Sequence, residues 1–555
     1  MRSFPLSFPL SLPLVLGVLL PIGCSTNDPA GTGAGGSTSS SASTGSGGAG
    51  GGPACPSEVE PAPGVVLTQR GAVKGIKKGK TWAYKGIPFA APPTGELRWK
   101  HPVEHACWQG ALAATDFGPA CMQLDEMGKV KGEEDCLSVN VWVPADADAD
   151  KPVPVLFFIH GGGNVQGASS VKVGNVALYD GQALSERGHV AVVTINYRLG
   201  PFGWLAHPGF AEGEPASSGN YGALDQVFAL QWARDNLLAF GGDPARLLVF
   251  GESAGGQNTC TLLASPLAKG LFSSAAIESG GCAAEKKEDA EAFALDWAMK
   301  AGCPVGAGAA ACLRKLPAAD VESLVPAPVE IAGKQGPYQP IVDGYLLTAP
   351  PFDVIAKGEH NHVPFIMGAN EHETGAAVPA TMTEAEYTAA VKALLPTFAD
   401  AILAAYPAVS FPTPRDAFVA VTSDAKFICP VRRTLRAAAK SQTEPVFRYQ
   451  FTHVLDNVGP AQKQKGAFHG LELFFVFGQL EVAGYIPSPG EKGLSGAIQG
   501  YWSRLAGNGD PNGSATIDWP AYDPAKDSYL ELDTTVVAKE GVHTAHCDFW
   551  ETIFP

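Results

Sequence analysis

The sequence is poor in positive charge. It has 39 Lys and Arg residues against 55 Asp and Glu residues, which gives a formal net charge of −16. A nucleic-acid surface needs clustered basic side chains that neutralise phosphates. The composition therefore argues against nucleic acid as a partner, and solubility is the simpler explanation of the acidity.

The sequence also lacks the spacings of common metal sites. It contains neither a Cys-x-x-Cys pair nor a His-Glu-x-x-His motif. Two histidine pairs lie close in sequence, His360 with His362 and His101 with His105. Neither pair has the helical spacing of a zinc site, so solvated loop histidines explain them better. We expect no metal and no cofactor.

A long unbroken apolar run is missing as well. The apolar stretch over residues 4–22 contains four prolines, and a signal peptide over residues 1–23 explains it better than a membrane-spanning helix. Cys24, between Gly23 and Ser25, resembles the lipidated residue of a bacterial lipoprotein. Pro21 stands where Leu is usual, and a plain signal peptide is the alternative.

Residues 24–57 consist mostly of Gly, Ser, Thr and Ala, a composition typical of a flexible tether. A lipid anchor followed by a tether predicts a secreted or cell-envelope protein that contacts the membrane only through its N-terminus. Cysteines can pair in such an oxidising compartment. No repeat or second break in composition divides residues 58–555, so we predict one folded domain there.

The folded part alternates apolar runs with longer helical patterns. The runs at 154–159, 190–195, 247–250 and 364–367 predict buried strands, and 223–233 predicts a helix. This alternation indicates an α/β fold, with a mainly parallel sheet covered by helices on both faces. In such sheets the functional residues follow the carboxyl ends of the strands.

One of these predicted strands leads into a Gly-x-Ser-x-Gly motif centred on Ser253. Glycine on both sides of a serine allows a tight strand-to-helix turn that exposes the hydroxyl. The following helix directs its amide N–H groups toward negative charge that forms beside the serine. Chance occurrence in a glycine-rich chain is the alternative, but the flanking strand and helix favour a nucleophile.

A serine nucleophile needs a base, and the base needs an acceptor that fixes its tautomer. His469, followed by Gly470, is the candidate base. Glu373, which follows the predicted strand at 364–367, is the candidate acid. The chain order serine, acid, histidine is the order of α/β-hydrolases.

Three backbone amides are predicted to form an oxyanion hole. Gly162 and Gly163 follow the predicted strand at 154–159, and Ala254 follows the serine. Glycines let the backbone approach a carbonyl oxygen closely. An ordinary glycine-rich loop is the alternative for the first two.

Together these residues resemble the type-B carboxylesterase/lipase family, which includes the cholinesterases. The resemblance extends over about residues 66–550 and rests also on the segments 84–90, 92–93, 97–99, 134–142, 196–200, 220–222 and 240–244. It implies an α/β-hydrolase fold and a carboxylesterase catalytic domain over 58–555. The implied activity is hydrolysis of small-molecule carboxylic esters through an acyl-enzyme, with Ser253, Glu373 and His469 as the triad.

The resemblance also implies three disulfides, Cys121–Cys136, Cys303–Cys312 and Cys429–Cys547. Cys55, Cys107 and Cys282 are left without a partner. Cys260, on the helix after the serine, is interpreted as a buried core residue.

The sequence departs from the family at several positions. Asn164 stands where Phe usually follows the glycines, which suggests a wider or more polar entrance on the acyl side, and Ser138 stands where an aromatic is usual. The segment between Cys121 and Cys136 has no tryptophan, so choline esters are not expected. Glu252, beside the nucleophile, is interpreted as a surface or rim carboxylate, with electrostatic tuning of the site as the alternative.

Two other functions remain open from the sequence. One is a non-catalytic surface-binding module of the same fold. The other keeps the chemistry but changes the substrate, to a lipase or to esters with a multi-acidic acyl group. Leu346, Leu347 and Phe474 are candidates for the pocket wall, and core packing is the alternative for each.

Overall fold

The structure is a computed structural model that describes residues 54–56, 59–212, 216–327, 329–333, 336–514 and 517–554. The predicted signal peptide, Cys24 and all but three residues of the predicted tether lie outside the described residues.

The strands of the described chain are short, except for those of one central sheet. They are β1 (Val65–Thr68), β2 (Gly71–Lys74), β3 (Ile76–Lys78), β4 (Thr81–Pro88), β5 (Ala111–Ala113), β6 (Gln123–Leu124), β7 (Val130–Lys131), β8 (Ser138–Pro144), β9 (Val153–Ile159), β10 (Lys172–Val173), β11 (Val176–Ala177), β12 (Ala191–Ile195), β13 (Gly242–Glu252), β14 (Ser274–Glu278), β15 (Glu285–Lys286), β16 (Ile341–Val342), β17 (Phe365–Asn370), β18 (Val446–Phe451), β19 (Ser528–Leu532) and β20 (Val537–Glu540).

The helices lie between and after these strands. They are α1 (Gln182–Gly188), α2 (Gly200–Trp204), α3 (Tyr221–Phe240), α4 (Ala254–Ala264), α5 (Lys287–Lys300), α6 (Ala309–Arg314), α7 (Ala318–Ser323), α8 (Pro351–Lys357), α9 (Glu384–Leu394), α10 (Ala399–Ala405), α11 (Pro414–Ser423), α12 (Cys429–Ser441), α13 (Pro460–Lys463), α14 (Glu472–Val476), α15 (Pro489–Asn508) and α16 (Thr544–Ile553). A π-helix, Asp424–Ile428, joins α11 to α12.

The central sheet has the strand order β20-β19-β18-β17-β14-β13-β9-β12-β8-β4-β3. The seven strands from β19 to β12 in this order run parallel to one another. The strands at both edges of the sheet pair antiparallel. Parallel pairing brings the carboxyl ends of β9, β13, β14 and β17 to one edge of the sheet, where functional residues collect.

Each face of the sheet packs against its own hydrophobic core. In β9, Phe157 and Ile159 pack into one core, which also contains Leu230 of α3. The alternate residue Phe158 packs into the other core, which contains Ile498 of α15. Because successive strand residues point to opposite faces, a strand buried on both sides is apolar throughout.

These observations confirm the predicted mainly parallel sheet with helices on both faces. The four predicted strands correspond to β9, β12, β13 and β17, and the helix predicted at 223–233 lies within α3. The strand before Ser253 is longer than the predicted segment 247–250, since β13 begins at Gly242. Residues 242–246 were not predicted as strand because they include Asp243, Pro244 and Arg246 and have no apolar pattern.

Five disulfides join the ten cysteines of the described chain. Three are the pairs implied by the family resemblance, Cys121–Cys136, Cys303–Cys312 and Cys429–Cys547. The remaining pairs are Cys55–Cys107 and Cys260–Cys282. The interpretation of Cys260 as an unpaired core residue was therefore wrong. Although Cys260 is fully buried on α4, Cys282 follows the neighbouring strand β14 and reaches it.

Within the described residues, no single helix has the length and apolar character to cross a membrane. One pair of segments, Glu384–Leu394 and Pro396–Ser410, meets those criteria only when taken together across a bend of 119°.

Candidate active site

Ser253 occupies a strained turn between β13 and α4. Its backbone has φ 59° and ψ −121°, a conformation that non-glycine residues rarely adopt. A Cβ atom at Gly255 would lie 2.0 Å from the carbonyl oxygen of Ile159, and one at Gly251 would lie 2.4 Å from the carbonyl oxygen of Gly255. The turn therefore requires both glycines, and it leaves the Ser253 side chain partly exposed.

Glu373 and His469 form a hydrogen-bonded pair on two neighbouring loops. Nδ1 of His469 donates to Oε2 of Glu373 over 2.5 Å. The backbone amide of Asn370, at the end of β17, donates to the other carboxylate oxygen over 2.8 Å. The two loops are also joined directly, because the His469 amide donates to the Glu373 carbonyl over 3.1 Å. This arrangement fixes the tautomer of the imidazole and leaves its Nε2 for a second partner.

Ser253, Glu373 and His469 line one cavity of about 520 Å³, called the large cavity. Nε2 of His469 has no hydrogen-bond partner among the described residues. Glu252 Oε1 lies 3.1 Å from that Nε2 atom. The tertiary structure thus brings together three side chains that are 96 to 216 positions apart in the sequence.

Glu252 is buried, with an exposed fraction of 5 %, so its interpretation as a surface or rim carboxylate was wrong. Burial raises its pKa to about 7, with His469 opposing this shift and Glu373 adding to it. Burial lowers the pKa of His469, but the carboxylates of Glu252 and Glu373 outweigh burial and hold that pKa above its usual value. Two acidic groups therefore stabilise the protonated imidazole.

Two further buried carboxylates lie behind this pair. Glu472 accepts a short hydrogen bond from the side-chain amide of Asn370, and Glu278 accepts one from Trp502 Nε1 over 2.6 Å. Burial raises the pKa of Glu278 to about 8 and that of Glu472 well above its usual value. Sequence reasoning missed both. Glu472 lies only three residues after His469, but nothing in the sequence showed that it points inward.

The glycine loop after β9 carries amides without an acceptor. Gly162 and Gly163 have φ values of 111° and 63°, in the region that favours glycine. A Cβ atom at Gly162 would lie 2.1 Å from the carbonyl oxygen of Gln166. The amides of both glycines and of Ala254, the first residue of α4, donate to no acceptor in the described chain. Such donors can hold a developing oxyanion.

A second cavity of about 350 Å³, called the small cavity, meets the large cavity at Ser253. The large cavity is mostly apolar beyond the polar side chains around Ser253, with walls that include Leu455, Leu471, Phe474, Leu480, Val482 and Tyr485. The small cavity begins at the amides of Gly163 and Ala254, and its walls include Tyr338, Phe352, Lys426, Phe427 and Arg433.

The remaining pocket candidates separate into wall and core. Phe474 lines the large cavity, whereas Leu346 and Leu347 are fully buried in the hydrophobic core. Asn164 lies at the small cavity but is only 1 % exposed, and its Oδ1 accepts a hydrogen bond from Asn258 over 2.9 Å. Its amide group therefore belongs to an interior hydrogen-bond network at the wall of the small cavity.

Neither histidine pair belongs to a cluster of metal-ligand side chains among the described residues. His360, expected to be solvated, is buried and donates from Nε2 to Gln442 Oε1 over 2.6 Å. The fold instead gathers two other groups with the ligand types of a metal site, one of Asp424, His543 and His546 and one of His453, Asp456 and Glu491. Asp424 is ion-paired with His543 and His546, and His453 is ion-paired with Glu491. The sequence spacing gave no sign of either group.

Comparisons with known proteins agree with this geometry. The model of the Carboxylesterase family matches residues 62–550. The chain is 36% identical over 488 residues to the para-nitrobenzyl esterase of Bacillus subtilis, an alignment that covers 85% of this chain and 95% of that protein. It is 34% identical over 474 residues to the fumonisin B1 esterase of Sphingopyxis macrogoltabida, with 82% and 84% covered. It is 32% identical over 551 residues to a liver carboxylesterase of Sus scrofa, with 91% and 94% covered.

Solved structures give the same result for the fold. A PNB esterase structure superimposes with a TM-score of 0.75 at 33% sequence identity, covering 88% of this chain and all of the other. A thermophilic PNB esterase gives the same TM-score at 32% identity. The predicted α/β-hydrolase fold is confirmed.

Proposed function

Since this chain belongs to the carboxylesterase family and hydrolyses carboxylic esters, we propose that it does so through an acyl-enzyme formed on Ser253. His469 is the base and Glu373 the acid that orients it. The observation that carries this proposal is the strained, partly exposed Ser253 on the same cavity as a His469–Glu373 pair whose Nε2 atom makes no hydrogen bond within the described residues.

In the proposed first step, Ser253 Oγ attacks the ester carbonyl carbon while Nε2 of His469 takes its proton. Glu373 accepts from Nδ1 and stabilises the imidazolium that forms. The carbonyl oxygen becomes an oxyanion, which the amides of Gly162, Gly163 and Ala254 hold. Each of these donors contributes about 3 kcal/mol to the transition state.

The tetrahedral intermediate then collapses. The C–O bond to the alcohol breaks, and His469 gives its proton to the departing oxygen. A water molecule next attacks the acyl-enzyme, again with His469 as the base. The products are a carboxylic acid, the alcohol and free Ser253.

The proposed reaction steps assign the two cavities to the two ends of the ester. His469 protonates the alcohol and lines the large cavity, so the alcohol occupies the large cavity. The acyl group stays bonded to Ser253 and extends into the small cavity, beside the amides of Gly163 and Ala254. The apolar walls of the large cavity suit a bulky or aromatic alcohol, such as the para-nitrobenzyl group named for one relative.

Covalent labelling tests the nucleophile. The parent protein is expected to take up one fluorophosphonate label per chain and to show a burst of p-nitrophenol from a p-nitrophenyl ester. Ser253→Ala is expected to lose both. Ser265→Ala is the matched control, since Ser265 lies at the other end of α4 but is buried and caps the turn that follows the helix. Full labelling of Ser253→Ala contradicts the proposal.

A non-catalytic binding module is not favoured. Relatives that align with most of this chain are named as esterases, and a binding module does not need a strained serine on the same cavity as a hydrogen-bonded His–Glu pair. Absence of fluorophosphonate uptake by the parent protein would favour the binding module instead.

We also propose that the protein acts outside the cytoplasm. In this proposal residues 1–23 are a signal peptide, Cys24 carries lipid and residues 24–57 are a tether. Support comes from the five disulfides, which suit an oxidising compartment. Palmitate labelling that disappears in Cys24→Ala is the expected result. Secretion without label indicates a plain signal peptide.

A further inference from the structure

The two cavities that meet at Ser253 differ in charge. Among the residues that the structure describes, the charged side chains on the wall of the small cavity are Lys426, Arg433 and Glu330. Glu330 is exposed, whereas Lys426 and Arg433 are partly buried. Water therefore screens the charge of Glu330 more strongly than it screens the charges of the two cations. The charged walls of the large cavity are instead carboxylates, apart from Lys465 and the imidazole of His469. The small cavity is therefore the better site for an anion.

Backbone contacts hold the ammonium group of Lys426, a residue of the small-cavity wall. Its Nζ donates to the carbonyl oxygens of Glu330 and Gly333, each over 2.9 Å. An ammonium has three N–H donors, so one remains for a ligand. Burial lowers the pKa of Lys426 to about 8, with Glu330 opposing this shift, and the side chain is mostly charged at pH 7.

Lys426 is also held rigidly from both ends of its helical turn. It lies in the π-helix Asp424–Ile428, a geometry that often occurs at functional sites. On one side, the fully buried Asp424 binds His543 over 2.5 Å. On the other side, Cys429 is bonded to Cys547. The position of the ammonium is therefore built into the fold.

The neighbouring residues add to this site. Phe427 packs against the ring of His469, with 5.0 Å between the ring centroids, so the same turn touches the proposed base. Arg433 stacks on Phe352, with its guanidinium carbon 3.7 Å from the ring centroid. It adds a second positive charge to the wall of the small cavity.

We propose that the small cavity selects esters whose acyl group carries a second, free carboxylate, with Lys426 as the residue that binds it. This inference rests on the proposed function, which places the acyl group in the small cavity. The substrates are monoesters of dicarboxylic acids. Water adds OH to the acyl carbon and H to the alcohol oxygen, the ester C–O bond breaks, and the dicarboxylate and the alcohol leave.

The test compares two substrates with the same alcohol and nearly the same shape, benzyl hydrogen succinate and benzyl succinamate. The second replaces the free carboxylate by a neutral carboxamide. The ratio of their kcat/KM values measures recognition of the carboxylate. Any effect of Lys426 on the pKa of His469 acts on both esters and cancels in the ratio.

The parent protein is expected to prefer the anionic ester, and Lys426→Met is expected to lower the ratio at least tenfold. Lys426→Arg, which keeps the positive charge, is expected to keep most of the preference of the parent protein for the anionic ester. Lys465→Met is the matched control, since it removes one positive charge from the large cavity. An unchanged ratio in Lys426→Met, or an equal fall in Lys465→Met, overturns the inference.

Fluorophosphonate labelling shows whether each variant is folded and active. If Lys426→Met takes up no label, the kcat/KM ratio for the two esters is measured for Lys426→Gln instead, and the same criteria apply. Failure of the underlying proposal has a different signature, because the parent protein would then hydrolyse neither ester and take up no label.

Discussion

At the residue scale, the site contains positions where adding one Cβ atom or removing one carboxylate is expected to change catalysis. Gly162 and Gly163 have positive φ values that favour glycine, and their amides donate to no acceptor in the described chain. Glu252 places a buried carboxylate 3.1 Å from the imidazole of His469. Each position leads to a separate prediction.

Gly162→Ala is expected to lower kcat for a p-nitrophenyl ester by about 10²- to 10³-fold, the typical cost of a lost oxyanion-hole donor. The reason is that the new Cβ atom would lie 2.1 Å from the Gln166 carbonyl, so the loop must shift. Gly459→Ala is the control, because a Cβ atom there meets open space. A loss of less than threefold in Gly162→Ala would contradict the assignment.

Glu252→Gln is expected to move the acidic limb of the kcat/KM profile to lower pH. The base works only when it is neutral, and the Glu252 carboxylate helps to keep its pKa above the usual value for histidine. Glu278→Gln is the matched control. Burial raises the pKa of Glu278 to about 8, so this carboxyl is mostly protonated below pH 7 and its replacement removes little charge. A shift to higher pH in Glu252→Gln would show that the electrostatic argument is wrong.

At the scale of elements, the C-terminal helix α16 and the π-helix are joined into one unit. His543, just before α16, donates to Asp424 over 2.5 Å and to Glu371 over 2.9 Å. The Cys429–Cys547 disulfide closes a separation of 118 residues beside them. This unit holds the turn that carries Lys426 and Phe427 against the site.

The stability of this unit is expected to depend on pH. Burial lowers the pKa of His543, but hydrogen bonds to Asp424 and Glu371 outweigh it and raise that pKa to about 10. Since the folded-state pKa is raised, this stabilisation is fully present below about pH 6.5 and disappears as pH rises through about 10.

His543→Asn is therefore expected to lower the free energy of unfolding by about 2–3 kcal/mol at pH 6.5, the range for a lost hydrogen bond to a charged group. The difference should shrink toward pH 10. Urea unfolding at both pH values measures it, and His362→Asn, at an exposed histidine, is the control. A difference that grows with pH would refute the ion-pair argument.

At the scale of the whole molecule, the parallel sheet brings β9, β13, β14 and β17 to one edge, and two cavities open from that edge at Ser253. The large cavity is mostly apolar, and the small cavity has two cations, Lys426 and Arg433, on its wall. Alcohol and acyl specificity should therefore change independently.

Phe474→Ala, in the large cavity, is expected to lower kcat/KM for benzyl acetate relative to ethyl acetate by about tenfold, because an aromatic contact of about 1.4 kcal/mol is lost. Phe352→Ala, in the small cavity, is expected to leave that ratio unchanged, since both esters share one acyl group. Equal effects of the two changes would contradict the division of the cavities.

Much of this arrangement was predictable from the sequence because it depends on local chemistry. The glycines around Ser253 are required by a turn only a few residues long, and β9 is apolar throughout because both of its faces are buried. The burial of Glu252 was not predictable, since its neighbours in space come from loops more than a hundred residues away.

Residues close together along the chain were enough to predict the alternation of strands and helices, the tight turn at Ser253 and the candidate base and acid. The pairing of Cys260 with Cys282, the burial of Glu252, Glu278 and Glu472, and the two cations on the wall of the small cavity became visible in the folded chain. These features depend on which loops meet at the edge of the sheet, and distances between loops are not encoded in local sequence patterns.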